Sequence, residues 1–183
     1  RIWSGIMIFT QHYNSPVGGL LLAADDSGLI GLWLDGEKYF ADSLPESHAE
    51  RETTILCDAK RWLDVYFSGR EPDFMPPLHP SGSDFRKAVW KLLLEIPYGK
   101  TVTYGELAKK LAVQMGIPRM SAQAVGGAVG HNEISIIIPC HRVVGTNGSL
   151  TGYAGGIEKK IKLLELEKVD MSCFFVPAKG TAL

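Results

Sequence analysis

Apolar positions in the first third of the chain come in short, closely spaced runs. The stretch "MIFTQHYNSPVGGLLLAADDSGLIGLWLDG" predicts three short strands, with Leu20–Ala23 and Leu29–Leu34 as the most apolar. Asn14-Ser15-Pro16 and Asp25-Asp26-Ser27-Gly28 supply the turns between them. From about Ser47 to Phe67 the period lengthens. Ile55, Ala59, Trp62 or Leu63, and Tyr66 recur at helical spacing, Cys57 reads as a small core residue, and Ser68-Gly69 stops the helix.

Four prolines in "EPDFMPPLHPSGSDF" break the pattern and predict a linker, with a domain boundary at 78/79. A helix over Ser83–Ile96 follows, with Phe85, Val89, Trp90 and Leu93 on one side and Pro97-Tyr98-Gly99 as its stop. "TYGELAKKLA" opens with Thr103 and Glu106 at capping-box spacing. A turn over Val113–Arg119 leads to a second helix, Ser121 to Gly130, which makes the pair a helix-turn-helix candidate. That second helix is rich in Gly and Ala. Gly-Gly costs helix propensity, roughly 1 kcal/mol per glycine, so the small residues serve either close helix packing or close approach to something narrow, such as a DNA minor groove.

The 183 residues are 45% hydrophobic and 21% charged, the composition of an ordinary globular protein. No apolar run reaches bilayer-spanning length, and no signal-peptide layout opens the chain; Met7 reads as a natural start after residues 1–6. Three scattered cysteines, Cys57, Cys140 and Cys173, argue against a disulfide framework and for a reducing cytoplasm. Net charge is −1 but uneven. Residues 1–78 hold six Lys/Arg against twelve Asp/Glu, and residues 79–183 hold thirteen against eight. The basic second part suits an anionic partner, nucleic acid among them.

The candidate chemistry lies in "SIIIPCHRVVG". Three isoleucines read as a buried strand, yet they run through Pro139 into Cys140, His141 and Arg142. His141 and Arg142 are expected to favour the thiolate, and Pro139 to open a helical turn whose free N–H groups do the same. Adjacent residues of a regular element do not face each other, so proton exchange between Cys140 and His141 requires a turn or a bridging water. No second Cys/His cluster completes a zinc site. Downstream, Gly152–Gly156 forms a glycine-rich loop around Tyr153 without phosphate-loop spacing, and Ile157–Glu167 forms a helix. Glu167 is either a solvated charge or the orienting acid of a Cys–His–acid relay.

"IPCHRVV", with "GHN" before it and "TGYAGG" after it, resembles the active-site signature of the O6-alkylguanine-DNA alkyltransferases, the methylated-DNA–protein-cysteine methyltransferase family. The resemblance extends over about Phe85 to Glu167 and includes "FRKAVWKLLLEIPYGKTVTYGELA". It implies an α/β protein: a small N-terminal α/β domain with antiparallel strands (1–78), then a mostly helical C-terminal domain (79–183) with a minor-groove-binding helix-turn-helix. It implies Cys140 as the alkyl acceptor, His141 as its base through a water, Glu167 as the partner of His141, and Tyr104 as hydrogen-bond donor to the leaving guanine. Asn132 would brace the hinge before the acceptor segment. Pro139, Val143, Tyr153 and Ala154 would line the base pocket, with the Cys140 and Val143 carbonyls reading the guanine amine. Ser121, Ala122, Gln123 and Arg119 would meet the DNA.

The partner so implied is double-stranded DNA presenting a flipped alkylated guanine to a monomer, with no cofactor. Three positions depart from the family pattern: Gln123 stands where arginine is usual, Glu133 where proline is usual, and Ala154 where serine is common. The competing readings are a non-catalytic lesion binder, which lacks the cysteine, a Cys–His hydrolase, and a structural DNA-binding module. No role is assigned to residues 171–183.

Overall fold

A computed structural model describes residues 7–178. The strands form where the short apolar runs predict them: β1 (Phe9–Ser15), β2 (Gly18–Ala24) and β3 (Leu29–Leu34). They pair antiparallel in the order β3-β2-β1, and a two-residue strand, β4 (Ala49–Glu50), adds parallel to β1. Alternation sorts the side chains onto two faces. Leu20, Leu22 and Ala24 enter the main core, whereas Leu21, Ala23 and Trp33 form a second cluster behind the sheet. Gly31 is needed there, because a Cβ at that position would stand 2.0 Å from the Trp33 ring.

Helix α1 (Thr54–Phe67) starts seven residues later than the periodicity suggests. Ala49 and Arg51 donate their N–H groups to Ile8 and Thr10 instead, and the Thr53 side chain caps the helix by accepting the Leu56 N–H. Its buried stripe, Leu56, Ala59, Trp62, Leu63 and Tyr66, lies on the sheet. The proline-rich segment is not loose. Leu29 donates to Pro77 and accepts from His79, so the linker runs along β3. Helix α2 (Asp84–Leu94) follows, capped by Ser83 and ending before the foreseen Ile96.

Strand β5 (Val102–Thr103) leads into α3 (Tyr104–Met115), where Thr103 and Glu106 complete the capping box. Helix α3 runs on past Val113 to Gly116, whose left-handed backbone ends it, so the turn is shorter than the sequence suggests. Helix α4 (Ala122–Gly130) is capped by Ser121 and packs on α2, where the Trp90 indole donates to the Ala128 carbonyl at 2.9 Å. Strand β6 (Val143–Val144) pairs parallel to β5, and α5 (Ile157–Leu166) closes the core from the far side.

Side chains from both sides of residue 78 share one hydrophobic cluster. The outer edge of β3 explains part of this. Leu32 donates to Glu133 and accepts from Ser135, so β3 seats the chain just before Cys140. After residue 171 a 3-10 turn leads to Phe175, which bridges Ser149. Residues 1–6 and 179–183 lie outside the described residues.

Candidate active site

The isoleucine run is not a strand. After Ile134 bridges Leu32, Ile136 adopts φ +72 while the Ile137 N–H donates to the Ser135 carbonyl, a γ-turn of the rarer hand. A β-branched residue held there costs on the order of 1–3 kcal/mol. An inverse γ-turn, the common and unstrained hand, follows, with Pro139 at its centre and the Cys140 N–H donating to Ile138. Cys140–Arg142 then form a single 3-10 turn, in which Pro139 is the cap rather than the first residue. Packing between β3 and the helices overrides the strand preference of isoleucine.

These turns point consecutive side chains in different directions. His141, fully buried, places Nε2 2.6 Å from Glu167 Oε2. A carboxylate can only accept, so Nε2 carries the ring proton and Nδ1 is left as an acceptor. Nδ1 is buried and has no hydrogen-bond partner among the described residues. Glu167 also accepts from Arg142 Nε at 2.8 Å, from Arg142 Nη2 at 3.2 Å, from Tyr66 Oη at 2.6 Å and from the Gly99 N–H at 3.0 Å. Burial pushes this carboxyl up, but the bonds and charges of His141 and Arg142 outweigh it and hold the group down at about 2. Burial lowers His141 more than Glu167 raises it, so the imidazole is neutral at pH 7.

Arg142 therefore serves Glu167, with its remaining Nη1 donating to the Ile96 carbonyl at 2.8 Å. It does not favour the thiolate as the sequence suggested. Cys140 is 5% exposed, and burial pushes its thiol up to about 11. The thiol is therefore protonated at pH 7. Asn132 and Lys160 work against that rise and favour the thiolate. Asn132 also braces the segment, donating to the Ile138 carbonyl at 2.8 Å and accepting the Ile134 N–H at 3.0 Å.

The other expected pocket residues come from α3, β6 and the loop before α5. Tyr104 is buried at the start of α3, with Oη donating to the Thr151 carbonyl at 3.4 Å. Burial and the neighbouring Cys140 raise its phenol. Tyr153 is buried, and its hydroxyl has no hydrogen-bond partner among the described residues. Ala154 is partly buried and accepts the Lys38 N–H at 3.0 Å. The Cys140 carbonyl accepts the Val143 N–H, and the Val143 carbonyl accepts Lys160 Nζ at 2.5 Å, which leaves each with a second lone pair. Arg119, Ser121, Ala122 and Gln123 do not join this cluster; they are exposed on the turn and first residues of α4.

Sequence reading missed three contributors: Tyr66, Lys160 and Glu37. Tyr66 was only a core position of α1, and nothing local signals a partner 101 residues away. Lys160 sits in "EKKIK", which reads as a solvated run. Its spacing from Ile157 and Leu164 does place it on the apolar face of α5, and its ammonium is buried against the Val143 and Thr151 carbonyls.

A sealed thiol beside a His–acid pair, flanked by a helical hairpin with an exposed small-residue helix, defines a DNA alkyltransferase that uses cysteine as acceptor. Residues 84–169 match the DNA-binding domain of 6-O-methylguanine DNA methyltransferase, and residues 8–80 match the ribonuclease-like domain of the same family. The chain belongs to the methylated-DNA–protein-cysteine methyltransferase family. It is 46% identical over 156 residues to the Methanosarcina acetivorans methylated-DNA–protein-cysteine methyltransferase, a match covering 85% of this chain and 95% of that protein. It is 44% identical over 162 residues to the Mycobacterium tuberculosis protein of that name, covering 88% and 93%. The fold is similar to that of M. tuberculosis OGT in complex with DNA, with a TM-score of 0.73, 43% identity, and coverage of 89% of this chain and 93% of that one.

Proposed function

We propose that the protein repairs DNA by moving the alkyl group from O6 of guanine onto Cys140, once per molecule. The observation that carries the reading is a buried thiol next to a histidine whose free Nδ1 lone pair is fixed by the Nε2–Glu167 bond. In the reaction the thiol proton passes through a water to His141 Nδ1 as Cys140 Sγ attacks the alkyl carbon. The C–S bond forms as the C–O6 bond breaks in line, and guanine leaves as Tyr104 donates to it. The Glu167 carboxylate, bonded to Nε2, stabilises the imidazolium that forms. A thioether has no ready leaving group, so the acceptor is not regenerated. The free thiol this consumes is one that a reducing cytoplasm maintains.

A thiol this deep is reached only by an extruded base, at a cost of a few kcal/mol for unstacking. Helix α4 supports minor-groove docking. Gln123, Gly127 and Gly130 fall on one face at i, i+4 and i+7, and a Cβ at either glycine would meet open space. Close helix packing therefore does not account for those two residues. Gln123 would fill the gap left by the base, Ser121 and Ala122 would lie along the groove, and Arg119 with exposed Lys109 and Lys110 would meet phosphates. In this division residues 79–183 carry DNA binding and chemistry, residues 1–78 buttress them, and one copy suffices.

Incubation with duplex bearing O6-methylguanine, followed by intact-mass and peptide analysis, tests the assignment. One methyl group per chain, on Cys140 and absent from Cys140→Ser, is expected. Continued turnover, or transfer that survives in Cys140→Ser while DNA binding is kept, would overturn it.

A further inference from the structure

The turn between α3 and α4 carries an apolar tip that the reaction above does not use. Val113, Met115 and Ile117 are 81%, 51% and 37% exposed. Nowhere else among the described residues do three exposed large apolar side chains fall within five positions. The tip is not a loose loop. The Gly116 N–H donates to Val113 at 3.2 Å and the Ile117 N–H to Ala112 at 3.0 Å, the paired bonds of a Schellman cap. Such a cap usually packs the residue in the place of Ile117 back onto the helix, yet Ile117 keeps more than a third of its surface in water. A Cβ on Gly116 would meet nothing within 4 Å, so no other element covers the turn there. From Val113 to Ala124 every residue except Met120 is exposed, and the first turn of α4 continues the same ridge. No Asp or Glu falls between Glu106 and Glu133, whereas Lys109, Lys110 and Arg119 flank the tip, all exposed.

We propose that this tip is a second DNA contact, in which Val113, Met115 and Ile117 pack against the deoxyribose edges of the strand beside the lesion. The proposal rests on the DNA-repair reading above. Its partner follows from the surroundings. Clustered exposed apolar groups call for cover. The ridge is continuous with the α4 face assigned to the minor groove. Sugars lining a groove offer C–H surface bordered by phosphates, which complements an apolar tip bordered by cations. A second copy of the chain fits worse. In a two-fold contact the same patch meets itself, so Lys109, Lys110 and Arg119 would face their own counterparts with no acid from 107 to 132 to answer them. A sugar contact releases no counterion, so its share of the affinity does not fall with salt as that of a phosphate contact does. The tip thus supplies a grip, independent of base sequence, that persists where the phosphate contacts weaken.

Fluorescence anisotropy of the full chain with duplex bearing O6-methylguanine, across a salt series, tests this. Met115→Gln combined with Ile117→Thr keeps the shape of the tip but makes it polar. The double variant should bind several-fold more weakly at every salt concentration, with the parent's slope of log affinity against log salt. Arg119→Ala should instead make that slope shallower by about one. A double variant that binds like the parent, or whose loss is a change of slope, would overturn the inference. Sedimentation of the parent without DNA addresses the other occupant: a dimer that the same substitutions dissociate gives the tip to a second copy and rejects the contact. Should the double variant fold poorly, 13C NMR of the Met115 methyl group in the parent decides instead. A resonance that moves on adding duplex supports the contact, and one that stays put sinks it. The two readings fail differently. A parent that does not bind methylated duplex rejects the repair reading and the tip with it, whereas a parent that binds with an affinity indifferent to the tip rejects the tip alone.

Discussion

Arg142 and Cys140 are two residues apart, yet the arginine turns its guanidinium onto Glu167, 25 positions further on, with contacts of 2.8 and 3.2 Å. Its charge is thereby spent on the acid that holds His141. Removing one partner of a buried pair leaves an uncompensated charge, so Arg142→Ala should destabilise the fold by about 3–5 kcal/mol. Urea denaturation measures this. Lysine cannot reproduce the two-pronged contact and should recover only part of the loss.

His141 and Glu167 should behave as one unit in transfer. Either His141→Ala alone or its combination with Glu167→Gln should slow single-turnover methyl transfer by a similar factor. Rapid-quench kinetics on methylated duplex gives the comparison. Multiplying losses would mean that Glu167 acts independently of the imidazole.

The same pair predicts the acid limb of stability. Glu167 is held at about 2, below its ordinary 4.5, so its contribution is complete above 4.5 and is lost as pH falls towards 2. His141 is lowered from 6.5, so the unfolded state takes up its proton first and stability already declines below about 6.5. Both effects have the same sign. Thermal unfolding from pH 7 down to pH 3 should show a falling Tm, and Glu167→Gln should start lower but fall less steeply.

On α4, Gly127→Ala separates folding from docking. Alanine gains up to about 1 kcal/mol in a helix interior, and space exists for its methyl group in the free protein. The variant should melt higher yet bind duplex several-fold more weakly, as read by fluorescence anisotropy. Higher stability with unchanged affinity would place this face away from DNA.

Gln123→Arg addresses extrusion. A planar cation fills an emptied base position better than a neutral amide. Transfer from duplex should speed up, while transfer from the free base stays constant. Gln123→Ala should slow only the duplex reaction. Equal changes on both substrates would mean that Gln123 acts through the active site.

Much of this was legible in the sequence because it is local. The hairpin strands, the capping box at Thr103 and the small-residue helix follow from spacing and turn chemistry within a dozen residues. The Cys–His–Glu set was legible through its signature. What stayed hidden depends on tertiary contacts. Ile136 looks like strand and is a strained turn, because the edge of β3 captures the chain only as far as Ser135. Arg142 sits beside the thiol in sequence and faces away from it in space. Glu37 lies 98 residues from Ser135 and meets its hydroxyl only in the fold.

The edge of β3 has one more consequence. Leu32 holds residues 133–135, and Tyr66 reaches Glu167 across 101 residues. In the proposed reaction, a polypeptide beginning near residue 79 would supply the reacting groups, but not the template that bends them into place. Severed in the proline-rich segment, the halves should be individually inert. Mixed, they should regain transfer to the extent that they dock, making the protein a natural two-part complementation system whose output is a single covalent mark.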